Sequence, residues 1–310
     1  MAHSTAQLKI RTARLSVASN SLLIVLKLAV GILTHSLSIM AEAVHSGVDL
    51  VAALMAYVSV RKSAEPPDHE HHYGHGKFES LAAAGEGVLI LAVALGIAYK
   101  AVWRIIGANY EVRFPLAGAA VMVVGGAVNL WVSRQLFRVA RESDSIALEA
   151  DAWHLSTDVY TMAGVLAAML LITLGQALRI HGIAVADPIA ALIVAAVITR
   201  AAWDITHRAA GQLADVSLPP EQEARIEALI GSHYPQFVAF HQLRSRAAGS
   251  ERHIDLHLEV PPAMSVAEAH ALCDHLEQDI RALMPNSEVL IHVEPARRRP
   301  REERRAKREE

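Results

Sequence analysis

The chain has 310 residues, 53% of them hydrophobic, and a mean hydropathy of +0.27, which is too apolar for an ordinary soluble domain. A formal net charge of −3 with a pI near 6.6 gives no sign of nucleic-acid binding. The single cysteine, Cys273, rules out an internal disulfide framework and reads as a core thiol.

Charged residues thin out between Leu15 and Trp203 and crowd the remainder. The expected organisation is a transmembrane domain over residues 1–210, a soluble domain over 211–295 large enough to hold its own core, and a charged tail over 296–310. In chain order, windows of about 20 residues find six membrane-grade spans: Leu15–Thr34, Leu37–Val60, Leu81–Ile105, Leu116–Leu136, Ile146–Leu174 and Ile183–Trp203. The first is too long for a signal-peptide core and lacks a convincing cleavage site, so it is expected to stay in the membrane. An even number of spans puts both ends on one side. Lys9, Arg11 and Arg14, then Arg61, Lys62 and Lys77, then Arg134, Arg138 and Arg141 choose the cytoplasm for that side, against Arg113 and Arg179 on the other. Lys27 and Glu86 lie inside apolar spans and receive no role.

After Trp203 the pattern changes to αββαβ, with a helix near Pro220–His233, strands near Phe237–Ser245 and Arg252–Val260, a helix over Ser265–Met284 and a strand over Glu288–Val293. In the second strand His253, Asp255, His257 and Glu259 alternate with Ile254, Leu256, Leu258 and Val260, so one face is apolar and the other rich in metal ligands. The mixed-sign tail after Arg297 reads as a solvated helix or a disordered end.

Two of the spans repeat one pattern: AEAVHSGVD at Ala41–Asp49 and ADAWHLSTD at Ala150–Asp158. Residues four apart share a helix face, so His45 lies beside Asp49 and His154 beside Asp158, and the pair of faces offers four ligands. Two imidazoles and two carboxylates suit a tetrahedral zinc-type ion, with cobalt and similar borderline ions next and the hard magnesium and calcium disfavoured. Ionisable groups in a bilayer are costly enough to count as functional candidates. The second span runs inward and the fifth outward, which sets Glu42 on the outer side of its pair and Asp151 on the cytoplasmic side of its own. These acids are either lips at opposite mouths of one site or hydrogen-bonding partners of neighbouring helices. Bare carboxylates in such a cavity call for protons when the metal leaves, and histidine titrates near neutrality. Between the second and third spans, DHEHHYGHGKFES gathers Asp68, His69, His71, His72 and His75, which form either a second site or a loop that concentrates metal without fixed geometry.

With these ligand pairs and the GHGK-x-E-S element, the chain resembles the cation diffusion facilitator family, proton-coupled divalent metal exporters, over nearly its whole length. Asp49, His154 and Asp158 match the family's pattern. His45 is the variable position, where His goes with the zinc-selective group and Asp with a broader choice that includes cadmium. The resemblance implies an α-helical polytopic membrane domain of six transmembrane helices plus a metallochaperone-like α+β cytosolic domain that dimerises and binds metal. It points to Asp68, His71 and His75 for the loop site within residues 66–78. It carries His241, His257, His270 and His292 over as ligands of the cytosolic domain, where Glu294 departs from the family's commoner Asp. It also pairs Lys77 near the membrane surface with an acid before the soluble domain, here Asp215.

The expected protein is a homodimeric exporter in the lipid bilayer of the inner or plasma membrane, with both termini cytoplasmic and no catalytic chemistry. Zinc is the first choice as transported and regulatory ion, with cadmium, cobalt, iron and manganese as alternatives, and protons are the counter-ion. A membrane-bound zinc sensor that signals without transport is the competing class, although a sensor has no need of ligands facing each other at mid-membrane. No His-Glu-x-x-His helix supports an intramembrane metalloprotease.

Overall fold

A computed structural model describes residues 2–33, 37–107, 116–177 and 185–296, and the side chains of Glu42 and His45 lie outside the described residues. Each apolar span falls largely within a longer helix: α1 (Ala2–Leu33), α2 (Leu37–Ser63), α3 (Lys77–Ile106), α4 (Leu116–Ser143), α5 (Ile146–Ala177) and α6 (Ala186–Leu213). Hydropathy marks only the stretch suited to lipid, whereas the backbone hydrogen-bond ladder continues past it. Lys9, Arg11 and Arg14 therefore sit on α1 itself, not on a segment before it, and Arg138 and Arg141 on the last turns of α4. Over their described residues, Thr5–Leu33, Lys77–Ile106 and Pro188–Leu213 are long and apolar enough to cross a bilayer.

The helices pack through small residues. Ala13 of α1, Val60 of α2, Val132 and Leu136 of α4, and Ala147, Leu148, Ala152 and Leu155 of α5 form one buried cluster. Ile90 and Ala94 of α3 meet Ile198 and Ala202 of α6 in a second. At the α3–α6 crossing a Cβ on Gly87 would fall 2.2 Å from Thr206 Oγ1 and 3.3 Å from the Ala202 carbonyl, so only glycine permits that approach.

One end of the bundle is tied by a buried acid. Glu79, in the first turn of α3, accepts from Lys9 Nζ at 2.5 Å and Ser63 Oγ at 2.7 Å on one oxygen and from Ser145 Oγ on the other. It thus joins α1, the end of α2 and the α4–α5 turn.

The chain divides into two units, residues 1–214 and 215–310. The second holds α7 (Pro220–Gly231), β1 (Ala239–Ala248), β2 (Glu251–Val260), α8 (Val266–Leu283) and β3 (Ser287–Pro295). The sheet order is β1-β2-β3, with β2 antiparallel to β1 and parallel to β3. Ile254, Leu256 and Leu258 of β2 bury against Leu272, Leu276 and Ile280 of α8 and Ile226 and Ile230 of α7, and Cys273 lies in this core. Proline at the first turn starts α7. A capping box starts α8: Ser265 Oγ accepts from Glu268 N at 3.2 Å while Ser265 N donates to Glu268 Oε2 at 2.8 Å.

Candidate metal centres

The first centre lies inside the six-helix unit. Asp49 of α2 and His154 of α5 are both buried, and Asp49 Oδ1 stands 3.2 Å from His154 Nε2. Asp158, one turn further along α5, accepts from Asn129 Nδ2 of α4 at 3.2 Å. Asp49, His154 and Asp158 line one cavity of about 280 Å³, walled otherwise by Leu89, Ile90, Ala92, Val93 and Thr157. His154 Nδ1 has no hydrogen-bond partner among the described residues. On the helix backbone His45 is one turn before Asp49, and its side chain and that of Glu42 fall outside the described residues. Asp151 is fully enclosed, as is Glu86 of α3, and no oxygen of either carboxylate has a hydrogen-bond partner among the described residues.

Three polar neighbours were not part of the expected set. Asn129 is the one asparagine inside the fourth apolar span, a signal that was available in the sequence. Lys27 donates to Ser46 Oγ at 2.6 Å, which brings an ammonium to the turn that carries His45. Glu79 stood in view within the GHGK-x-E-S element, but its partners come from segments 16 to 70 residues away.

The loop between α2 and α3 builds the second centre. Asp68 Oδ1 accepts from the amides of His71 at 2.7 Å and Glu70 at 2.9 Å, while Oδ2 faces His75 Nε2 at 3.1 Å. The backbone amide of His71, helped by that of Glu70, holds the Asp68 carboxyl down at about 2. His75 is buried, its ring 4.5 Å from that of His71, and among the described residues neither His75 Nε2 nor His71 Nδ1 has a partner with hydrogen-bond geometry. Potential ligand atoms of Asp68, His71 and His75 all lie within 4.8 Å of one another. Inward-turned ring nitrogens around a carboxylate are an arrangement that a divalent ion would satisfy. His69 and His72 are exposed.

The sheet builds the third. Register pairs His241 with His257 and His257 with His292, so three imidazoles stand abreast across β1, β2 and β3. Adjacent rings are 5.2 and 4.8 Å apart. Glu294 reaches this row, with Oε1 2.8 Å from His257 Nδ1 and Oε2 3.5 Å from His241 Nε2. The hydrogen bond from His257, with the other histidines beside it, keeps the Glu294 carboxyl below the usual range. Donor atoms of His241, His257 and Glu294 fall within 4.8 Å of one another. His292 stays at the rim, 3.7 Å from Glu294, and His270 stands apart on α8, exposed and 3.7 Å from Asp274. Within their own units, Lys77 donates to the Leu213 carbonyl at 3.4 Å and Asp215 accepts from Arg246 at 3.1 Å.

Six membrane helices followed by a small αββαβ unit define a polytopic membrane protein with a soluble α+β domain. Residues 13–214 match the family model of the cation efflux transmembrane domain, and residues 218–296 that of the cytoplasmic domain of cation efflux proteins. The chain is 34% identical over 291 residues to an uncharacterized transporter, sll1263, of Synechocystis sp., covering 94% of this chain and 92% of that one. It is 32% identical over 295 residues to the cation-efflux pump FieF of Cronobacter sakazakii, covering 95% of each. A solved structure of CzrB in its Zn form is 38% identical and covers 27% of this chain and 99% of that one, with a TM-score of 0.26. The chain belongs to the cation diffusion facilitator family of cation efflux transporters.

Proposed function

We propose that this chain exports a divalent metal cation, zinc before others, as a homodimer of the inner or plasma membrane, exchanging metal for protons by alternating access. The observation that supports this best is the approach of Asp49 and His154 to 3.2 Å inside the membrane unit, with Asp158 on the same cavity. With His45 one turn away, the donor set is two imidazoles and two carboxylates, which favours zinc over oxygen-preferring ions.

The charge balance gives the mechanism. Metal enters from the cytosol past Asp151, binds the four ligands, and leaves past Glu42 once the helices rock to open the outer side. Two carboxylates left in a poorly solvated cavity are stabilised by protons, so protons arriving from outside displace the ion and reset the bundle. Asp68, His71 and His75 hold metal at the cytoplasmic end. The row of His241, His257 and Glu294, with His292 at its rim and His270 on α8, serves as the regulatory zinc site of a cytosolic domain bounded near 211–295. Both termini are cytoplasmic.

Reconstituted vesicles with an internal zinc dye and a pH gradient test this reading. Wild type should show gradient-driven flux that Asp49→Ala and Asp158→Ala abolish. Zinc binding without flux in the wild type would instead favour a sensor.

A further inference from the structure

A second histidine group lies on the other side of the soluble unit. His233, just past the end of α7, is only 8% exposed. Its Nδ1 lies 3.1 Å from the Leu229 carbonyl oxygen, which can only accept, so Nδ1 carries the hydrogen. In a neutral ring the Nε2 lone pair then points outward, yet Nε2 stands 3.0 Å from Asp279 Oδ2, itself an acceptor. Two acceptors at that separation need a cation between them, either a proton or a metal ion.

The surroundings favour the metal. His275 is one turn before Asp279 on α8, with its Nε2 3.8 Å from the same Asp279 oxygen and its ring 5.4 Å from that of His233. The first spacing is too long for a hydrogen bond. Ligand atoms bound to one tetrahedral zinc at bonds of about 2.0 Å lie roughly 3.3 Å apart, and the 3.0 and 3.8 Å separations bracket that value. Donation of the far ring nitrogen to a backbone carbonyl, as His233 makes to Leu229, is the usual way a ligating imidazole is oriented. Potential ligand atoms of all three residues lie within 4.8 Å of one another. His275 is 61% exposed and borders an open groove with Gln236, Met264 and Leu272, so an ion reaches it from solvent.

We infer that His233, His275 and Asp279 form a further divalent-metal site, zinc in class, that clasps the end of α7 to α8. It is distinct from the row on the sheet. Leu256 and Leu258 turn toward α8, and His257 between them faces the opposite side, so one ion cannot serve both groups. Three protein ligands leave a fourth position for water. The inference does not depend on the transport reading, because it concerns binding to the soluble unit alone.

The test is zinc stoichiometry of the full-length protein in detergent, dialysed to equilibrium against zinc buffered at about 10 µM free, which fills a site of micromolar affinity to about nine-tenths. Wild type, His275→Ala, Asp279→Asn, His241→Ala and the His241→Ala/His275→Ala double variant are compared by mass spectrometry of bound metal, with circular dichroism and elution volume as fold controls. His275→Ala and Asp279→Asn should each hold one zinc per chain fewer than wild type, and the double variant one fewer than His241→Ala. His275 is on the surface, so its truncation leaves the core intact. If both single variants hold as much zinc as wild type, a proton bridges His233 and Asp279 and the inference is wrong.

Discussion

A carboxylate as fully enclosed as Glu79 is tolerated because Lys9, Ser63 and Ser145 all face it. Removing one member of a buried pair leaves the other unmatched, which costs about 3–5 kcal/mol. Glu79→Ala should therefore lower the melting temperature of the detergent-solubilised chain markedly. Lys62→Ala, which removes the exposed pair with Glu65, should leave it unchanged. A smaller shift for Glu79→Ala than for Lys62→Ala would remove Glu79 from its structural role. At the transport centre the residue of interest is His45, because its substitution changes the softness of the donor set while Asp49, His154 and Asp158 are kept. His45→Asp should raise cadmium flux relative to zinc in the vesicle assay. An unchanged ratio would refute our account of selectivity at that position.

Among the elements, the α3–α6 contact leaves no room for a side chain to be added at Gly87. A Cβ at Gly87 meets the Thr206 side chain at 2.2 Å and backbone atoms of Thr206 and Ala202 at 3.2 and 3.3 Å. Gly87→Ala should lower thermal stability by about 1–3 kcal/mol, the range for overpacking. Adding Thr206→Ala should restore part of the loss, since the nearest clash is with its hydroxyl. Absence of any rescue would mean that the backbones, not Thr206, set the limit. On α8 the capping box makes a separate prediction: Ser265→Ala removes the acceptor for the Glu268 amide and should cost about 1 kcal/mol, read as earlier melting of the soluble unit by circular dichroism.

For the whole molecule the pH response follows from which ligands are already ionised. Hydrogen bonds from the amides of His71 and Glu70 hold Asp68 at about 2, and His257 holds Glu294 below the usual range. Both carboxyls are depressed, so what they contribute is fully present above the ordinary carboxylate range near 4 and is lost only as pH falls through the lower folded values. Ligands bind zinc in the deprotonated form, so protonation of these two carboxyls should not weaken zinc binding anywhere between about pH 5 and about pH 7.5. Titration calorimetry of Asp68→Asn should show weaker loop binding with the same pH profile. A change of profile over that interval would contradict the assignment of Asp68 as ionised throughout.

Local periodicity carries the elements that the sequence reveals without help. Lipid-length apolar runs mark the six membrane helices, and the strict alternation of His253–Val260 marks β2 with its two unlike faces. The His-x-x-x-Asp spacing likewise states that two ligands share a helix face, since four residues make about one turn. The ends of the helices were not legible in this way, because hydropathy reports the solvent around a helix while the backbone ladder continues where the solvent changes. Nor were the partners of Glu79, Lys27 and Asp158, or the meeting of His233 with α8. The pairing of Asp49 with His154 spans 105 residues and that of Lys9 with Glu79 spans 70. Sheet register made the histidine row, putting His257 opposite both His241 and His292 and leaving His270 on another element. By itself the sequence determined the kinds of ligand, their local spacing and the order of the helices and strands, since these depend only on near neighbours. The tertiary structure decided which ligands meet, because helix packing and strand register bring distant side chains to within bonding distance.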